Sequence, residues 1–238
     1  MKFDVSAYLI LGRENTNDRS VKDIVKQAVQ AGFTFIQVRS KQESALELIE
    51  DCRDVADALR ELGKSQEVAL VVDDRLDVVL AAREQGIKVD GIHVGQTDIP
   101  VSVCRKYLGP DSIIGLSAPT KHLIDYVKNY NNKKDTEDKN SCDSLDIDYF
   151  GAGPVHETST KPDCGMDENG KVITKTFEEL TQLAEVSPVP VVVGGGVKAK
   201  DIADLKKTGV DGFFVVSAVT NADNPYKAAE ELVDLWNK

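Results

Sequence analysis

The sequence predicts an α/β protein, a single-domain (β/α)8 (TIM) barrel spanning residues 1–238. Three observations predict it. Short apolar runs of strand length alternate with runs of helical period through eight units, and the chain ends on a helix. The length of 238 residues suits one such barrel, which typically needs about 250. The turn after the first strand reads Leu11-Gly12-Arg13-Glu14-Asn15, without the G-x-G-x-x-G pattern that an open dinucleotide-binding sheet more often carries there.

Each element follows from its pattern. Tyr8 to Leu11 is the first strand. Ser20 to Ala31 sets Val21, Ile24, Val25, Ala28 and Val29 on one helical stripe and stops at Gly32. Phe33 to Val38, rich in aromatic and β-branched residues, is the second strand. Residues 44–62 repeat with helical period. Val68 to Val72 is an unbroken apolar run, as expected of a strand covered on both faces. Leu76 to Gln85 follows as helix and Gly91 to Val94 as strand. Val101 to Leu108 is a helix opened by Pro100, Ser112 to Leu116 a strand, and Thr120 to Tyr130 a helix. Ile147 to Phe150 is a strand, Phe177 to Val186 a helix, and Val189 to Val193 a strand. Ala199 to Thr208 is a helix ended by Gly209, Phe213 to Val216 the last strand, and Pro225 to Trp236 the last helix. Strict alternation implies a parallel sheet with right-handed crossovers. Two stretches break the rhythm. The polar insertion 129–144 lies between a helix and a strand and is expected to be solvated and mobile. The extended loop 163–175 follows a strand, so it falls on the catalytic face as a lid or a plain long loop.

Composition narrows the function classes. Hydrophobic residues make up 41% and charged residues 29%, which supplies a core and excludes wholesale disorder. No apolar run reaches the roughly 18–20 residues of a membrane span. Met1-Lys2-Phe3-Asp4 does not open a signal peptide, so a cytoplasmic location and no membrane partner are expected. A net charge of −11 would repel a phosphate backbone, so no nucleic-acid partner is expected, although a local basic pocket is compatible with it. Cys52, Cys104, Cys142 and Cys164 form no C-x-x-C pair and read as reduced thiols. A homo-oligomer is left open.

In such a barrel the active site gathers at the C-terminal ends of the strands. After strand two, Gln37-Val38-Arg39-Ser40-Lys41 puts an amide and two cations on one face, a pattern for an anion such as a diphosphate; a solvated strand end is the alternative. Asp73-Asp74-Arg75 after strand three and Asp98 after strand four either cap helices or bind a hard cation. Because they stand on adjacent strands beside the two cations, Asp74 and Asp98 suggest Mg²⁺ bridging protein and phosphate. Ser117 after strand five is a ligand donor or a helix cap. After strand six, Gly151 to Lys161 offers glycines, hydroxyls and a positive charge. Gly194-Gly195-Gly196 after strand seven and Val216-Ser217-Ala218 after strand eight mark the usual phosphate site of these barrels. Two anion sites in one mouth suggest a transferase with a pyrophosphate leaving group.

The segments QVRSK (37–41), DDR (73–75), HVGQTD (93–98), GLSA (115–118), GPVHETSTK (153–161), GGGV (194–197) and VVSA (215–218), in that order, resemble the thiamine-phosphate synthase (thiamine-phosphate pyrophosphorylase) family over nearly the whole chain. The resemblance implies an enzyme joining 4-amino-2-methyl-5-pyrimidinylmethyl diphosphate to 4-methyl-5-(2-phosphoethyl)thiazole, or its carboxylate, with release of pyrophosphate. By motif, Gln37, Val38, Arg39, Ser40, Lys41, Asp73, Ser117 and Lys161 would hold the pyrimidine diphosphate, with Arg39, Lys41 and Lys161 neutralising the leaving group. Asp74 and Asp98 would bind Mg²⁺. Thr158, Ser159, Thr160, Gly196, Val216 and Ser217 would hold the thiazole phosphate. The family usually has Asn where this chain has Asp73, and the first loop lacks the family's common Thr-Asp; an extra carboxylate beside a diphosphate calls for compensation.

Rival readings differ in residues. A thiazole tautomerase-like isomerase tends to carry a His two residues after the strand-five Ser, where this chain has Pro119, and His122 is expected on the helix surface. A non-catalytic binder of phosphorylated thiamine precursors would not need Asp74 and Asp98.

Overall fold

The computed structural model describes residues 3–134, 146–158 and 171–238. Eight strands, β1 (Ala7–Leu11), β2 (Phe35–Val38), β3 (Ala69–Asp73), β4 (Gly91–Val94), β5 (Ile113–Ser117), β6 (Tyr149–Ala152), β7 (Val191–Gly194) and β8 (Gly212–Val215), pair in parallel and in sequence order. β8 returns to β1 through Ala7 opposite Phe213, which closes the barrel. The crossover helices are α1 (Val21–Gln30), α2 (Ala45–Glu61), α3 (Leu76–Glu84), α4 (Val101–Leu108), α5 (Leu123–Lys134), α6 (Phe177–Val186) and α7 (Ala199–Lys207), with α9 (Pro225–Asn237) at the end.

Strand alternation makes two cores. Outward residues such as Leu9, Ile36, Leu70, Val72, Ile92, Ile114, Phe150 and Val193 pack under the helices. Inward residues Tyr8, Phe35, Ala69, Val71, Ile113, Tyr149 and Val192 fill the barrel, with Val5 beneath them. Nearly every strand side chain is buried on one face or the other, which is why the runs read as continuously apolar. Ser20, Ser44, Thr176 and Asn224 accept backbone amides at the starts of α1, α2, α6 and α9, so these helices begin at side chains suited to N-caps.

The lower rim carries a repeated device. Asp90, Asp148 and Asp211, each just ahead of an even-numbered strand, accept the backbone amides of Leu70, Ile114 and Val191 at the foot of the preceding strand, at 2.7, 2.7 and 2.8 Å. This corrects the expected sixth strand. Asp148 spends its carboxylate on Ile114 and on Arg105 (2.8 Å), so ladder pairing begins at Tyr149 and β6 sits two residues later than the apolar run suggested. The helix expected from Thr120 also shifts. His122 has a left-handed backbone (φ 55°), which no helix interior accommodates, so α5 starts at Leu123 and His122 occupies an exposed turn. A short helix absent from the sequence reading, α8 (Ser217–Thr220), stands directly after β8. Within the insertion 129–144, residues up to Lys134 continue α5; residues 135–145, and 159–170 of the loop after β6, lie outside the described residues.

Candidate active site at the barrel mouth

The C-terminal strand ends open on a cavity of about 430 Å³ that adjoins a smaller one of about 80 Å³. Ile10, Arg39, Thr158, Gly195 and Phe214 line both.

The larger cavity has a charged side built by β2, β3 and β4. Arg39 is nearly buried, and its Nε lies 3.1 Å from Asp73 Oδ2. Lys41 Nζ pairs with Asp74 and lies 3.6 Å from Asp73. Neither aspartate caps the next helix: the residue at the N-cap of α3 is Arg75, which makes no side-chain cap. Asp74 has φ 58°, a left-handed conformation that Asp tolerates and that turns its side chain from the strand into the mouth. Asp98 does not cap α4 either, whose N-cap position is Pro100; its Oδ2 accepts the Gly95 amide at 2.8 Å. The Asp98 carboxyl is held above its usual range, first by burial and then by Asp74 beside it, with the Gly95 amide and Lys41 pulling the other way. Burial works against the charge of Lys41, but Asp74 and Asp73 outweigh it and raise the ammonium.

The mouth is therefore short of positive charge. Among the described residues, Arg39 and Lys41 face Asp73, Asp74 and Asp98. Asp74 and Asp98 are hard oxygen donors crowded against one another, a donor set that fits Mg²⁺, which is usually held by one or two carboxylates together with phosphate oxygens. Among the described residues no group of three or more His, Cys, Asp or Glu is placed to hold an ion.

The floor of the cavity is polar and buried. Gln37 Nε2 donates to Tyr8 Oη (2.8 Å), Tyr8 Oη lies 2.9 Å from Tyr149 Oη, Tyr149 Oη lies 2.9 Å from His93 Nδ1, and His93 Nε2 lies 2.9 Å from Ser117 Oγ. Burial holds both phenols in their protonated form by raising them further. Gln96 Nε2 reaches the Ser117 carbonyl at 2.6 Å.

The smaller cavity is built from backbone. Gly195 and Gly196 take φ of +83° and +73°, and a Cβ on Gly196 would stand 2.8 Å from His156 Cβ, so only glycine lets the β7 loop pass under the β6 loop. Val216 is the N-cap of α8, and the first amides of that helix, at Ser217 and Ala218, border the cavity. The place, after strands seven and eight, is the one at which barrels of this kind frequently bind phosphate through backbone amides.

Most of the residues singled out in the sequence thus converge: Gln37, Arg39, Lys41, Asp73, Asp74, Asp98, Ser117 and Thr158 line the larger cavity, and Gly196, Val216 and Ser217 the smaller. Val38 and Ser40 do not converge with them. Val38 alternates outward into the helix-facing core, and Ser40 turns into its own loop, donating to Glu14 and accepting the Gln42 and Glu43 amides. Ser159, Thr160 and Lys161 lie outside the described residues. The sequence reading passed over Tyr8, Tyr149 and the ring of His93; the available signal was a polar side chain at an inward position of an otherwise apolar strand.

A family model described as thiamine monophosphate synthase matches residues 7–219. The chain belongs to this family. A thiamine-phosphate synthase of Persephonella marina is 32% identical over 98% of this chain and 97% of its own, and one from Vibrio parahaemolyticus 34% over 92% of each. A solved thiamine phosphate pyrophosphorylase from Pyrococcus furiosus superposes with a TM-score of 0.74 at 29% identity, covering 98% of this chain and 96% of that one. A 3-hexulose-6-phosphate synthase, at 14% identity and a TM-score of 0.59, shares the fold. Family membership makes the chain an enzyme, a transferase of thiamine biosynthesis acting on small phosphorylated molecules. Among the described residues no helix is long and apolar enough to cross a membrane. Cys52 and Cys104 are free and buried, and burial pushes their thiols up to about 12 and about 11, as expected of inert core residues.

Proposed function

We propose that the chain condenses 4-amino-2-methyl-5-pyrimidinylmethyl diphosphate with 4-methyl-5-(2-phosphoethyl)thiazole, or its carboxylate, to give thiamine phosphate and pyrophosphate. The observation that carries the reading is the adjoining pair of cavities. One is walled by Arg39 and Lys41, the other is a backbone cradle, and Arg39 borders both. Two phosphorylated substrates are thereby brought to one wall with their reacting ends together, which replaces a bimolecular encounter by a held geometry.

The chemistry asks little of the protein covalently. The pyrimidine methylene C–O bond breaks, its electron pair leaves with pyrophosphate, and the thiazole nitrogen supplies the pair for the new C–N bond. The electron-rich aminopyrimidine stabilises the methylene cation between the two events. The protein's part is electrostatic. Arg39 and Lys41, with Lys161 by family resemblance, take up the growing charge on the leaving group. Asp73, where the family usually has Asn, is compensated by its ion pairs to Arg39 and Lys41. Mg²⁺ held by Asp74 and Asp98 would supply the positive charge that the mouth lacks. Ser217, Gly196 and the start of α8 would hold the thiazole phosphate.

The test is to incubate the protein with both substrates and Mg²⁺ and to measure thiamine phosphate and pyrophosphate in equal amounts, with an EDTA arm. Absence of both products in the presence of Mg²⁺ refutes the reading. Isomerisation of the thiazole carboxylate phosphate alone would instead identify a tautomerase.

A further inference from the structure

The buried chain Gln37–Tyr8–Tyr149–His93–Ser117 crosses the barrel from β2 to β5, linking four residues that border the cavity through one, Tyr149, that does not. Its polarity follows from donor counting. Tyr8 Oη accepts from the Gln37 amide, and the arrangement that leaves no proton of this buried chain unpaired sends the Tyr8 proton to Tyr149 Oη. Tyr149, having accepted, directs its proton to His93 Nδ1. Nδ1 is then the unprotonated nitrogen of a neutral ring, Nε2 carries the proton, and Nε2 donates to Ser117 Oγ. Ser117 is an acceptor toward the floor, which leaves its own proton for a group in the cavity.

The barrel is cut to hold this chain. A Cβ on Gly115 of β5 would run into the Tyr149 phenol and lie 2.5 Å from His93 Nδ1; one on Gly151 of β6 would stand 3.0 Å from the His93 ring. Neither glycine has the left-handed backbone that would by itself explain it. Both leave room for the His93–Tyr149 contact, in which the ring centroids are 5.4 Å apart.

We propose that Tyr149 and His93 are positioning residues that orient the Ser117 hydroxyl as a donor to the bound pyrimidine diphosphate and tie it to Gln37 on the opposite wall. The kinetic part of this inference rests on the function proposed above; the hydrogen-bond part does not. Neither residue needs to change its protonation state. A fixed hydroxyl loses no orientation as charge develops on the leaving group, which is the property of a preorganised donor.

Two measurements test it. The first is ¹⁵N spectroscopy of the histidine-labelled protein near neutral pH; there are three histidines, so assignment needs only His93→Gln as a blank. The expected result is a pyrrole-type Nε2 and a pyridine-type Nδ1 on His93, with the Nδ1 resonance displaced in Tyr149→Phe. A proton on Nδ1 overturns the inference, whatever the activity. The second is a kinetic cycle. Ser117→Ala is expected to lower kcat on the order of 10²-fold. Tyr149→Phe, which keeps the ring and removes one oxygen, is expected to lower kcat roughly tenfold with KM unchanged. The double variant is expected to match Ser117→Ala alone. Multiplicative losses, a Tyr149→Phe effect confined to KM, or no effect would each overturn the positioning role. If the wild-type protein makes no thiamine phosphate, the function reading fails, and the spectrum still decides whether the chain of hydrogen bonds runs as described.

Discussion

Glu43 lies on the loop between Lys41 and α2, next to Asp51 of α2. Both Glu43 carboxylate oxygens and Asp51 Oδ2 are buried, and none of them has a side-chain donor in bonding geometry among the described residues. Asp51 Oδ1 accepts from Arg13 Nε at 2.6 Å and Glu50 Oε2 from Arg13 Nη2 at 3.0 Å, so with Glu43 one cation serves three carboxylates. A proton on Glu43 supplies the missing donor. Burial first, and then Asp51, raise the Glu43 carboxyl from 4.5 to about 7, against the pull of the Glu14 amide and Arg13. Because the folded value exceeds the unfolded one, the contribution is fully present below about pH 4.5 and is lost as pH rises through about 7. A fully desolvated group with this shift would account for about 3 kcal/mol. Glu43 is only half-buried, and solvent screening brings the expected figure to about 1 kcal/mol. For a chain of this size that corresponds to roughly 2–4 °C in Tm. Glu43→Gln keeps the shape and removes the titration. The expected outcome is a Tm difference between variant and wild type that grows in the variant's favour by this amount from pH 5 to pH 7.5, followed by calorimetry in matched ionic strength. Parallel Tm profiles across that window would refute the idea of a shared proton between Glu43 and Asp51.

The mouth yields three further expectations. Lys41→Ala, which removes the cation paired with Asp74, should lower kcat/KM for the pyrimidine diphosphate on the order of 10²–10³-fold, measured by pyrophosphate release. Asp98→Asn, which keeps an oxygen for the Gly95 amide, should raise the Mg²⁺ concentration needed for half-maximal rate on the order of tenfold; an unchanged Mg²⁺ titration would remove Asp98 from the metal site. Gly196→Ala puts a Cβ 2.8 Å from His156 Cβ on a left-handed backbone, so KM for the thiazole phosphate should rise several-fold while pyrimidine diphosphate binding, read by calorimetry, stays put.

The order of the elements and most of the site were legible in the sequence because both rest on local physics. A strand buried on two faces has to be apolar along its length, and Val68 to Val72 became β3 within a residue. Polar residues at the end of such a strand have the mouth to face, so Gln37, Arg39, Lys41, Asp74, Asp98 and Ser117 are legible from the sequence alone as lining it. Where the reading slipped, a single side chain or a backbone angle decided: the Asp148 carboxylate displaced β6, and the left-handed His122 delayed α5. Val38 and Ser40 entered the expected site as members of a motif, and alternation and a loop hydrogen bond turned them elsewhere.

By itself, then, the chain determined which faces its strands and helices bury, where its charges would gather, and which family it joins, since each of these depends on residues near in sequence. Only barrel closure decided the partners. Tyr8 meets Tyr149 across 141 positions, and Asp73 neutralises Arg39 from the neighbouring strand. No periodicity encodes such contacts, because they follow from the register and stagger of eight strands packed at once, and that sum exists only when the sheet has closed.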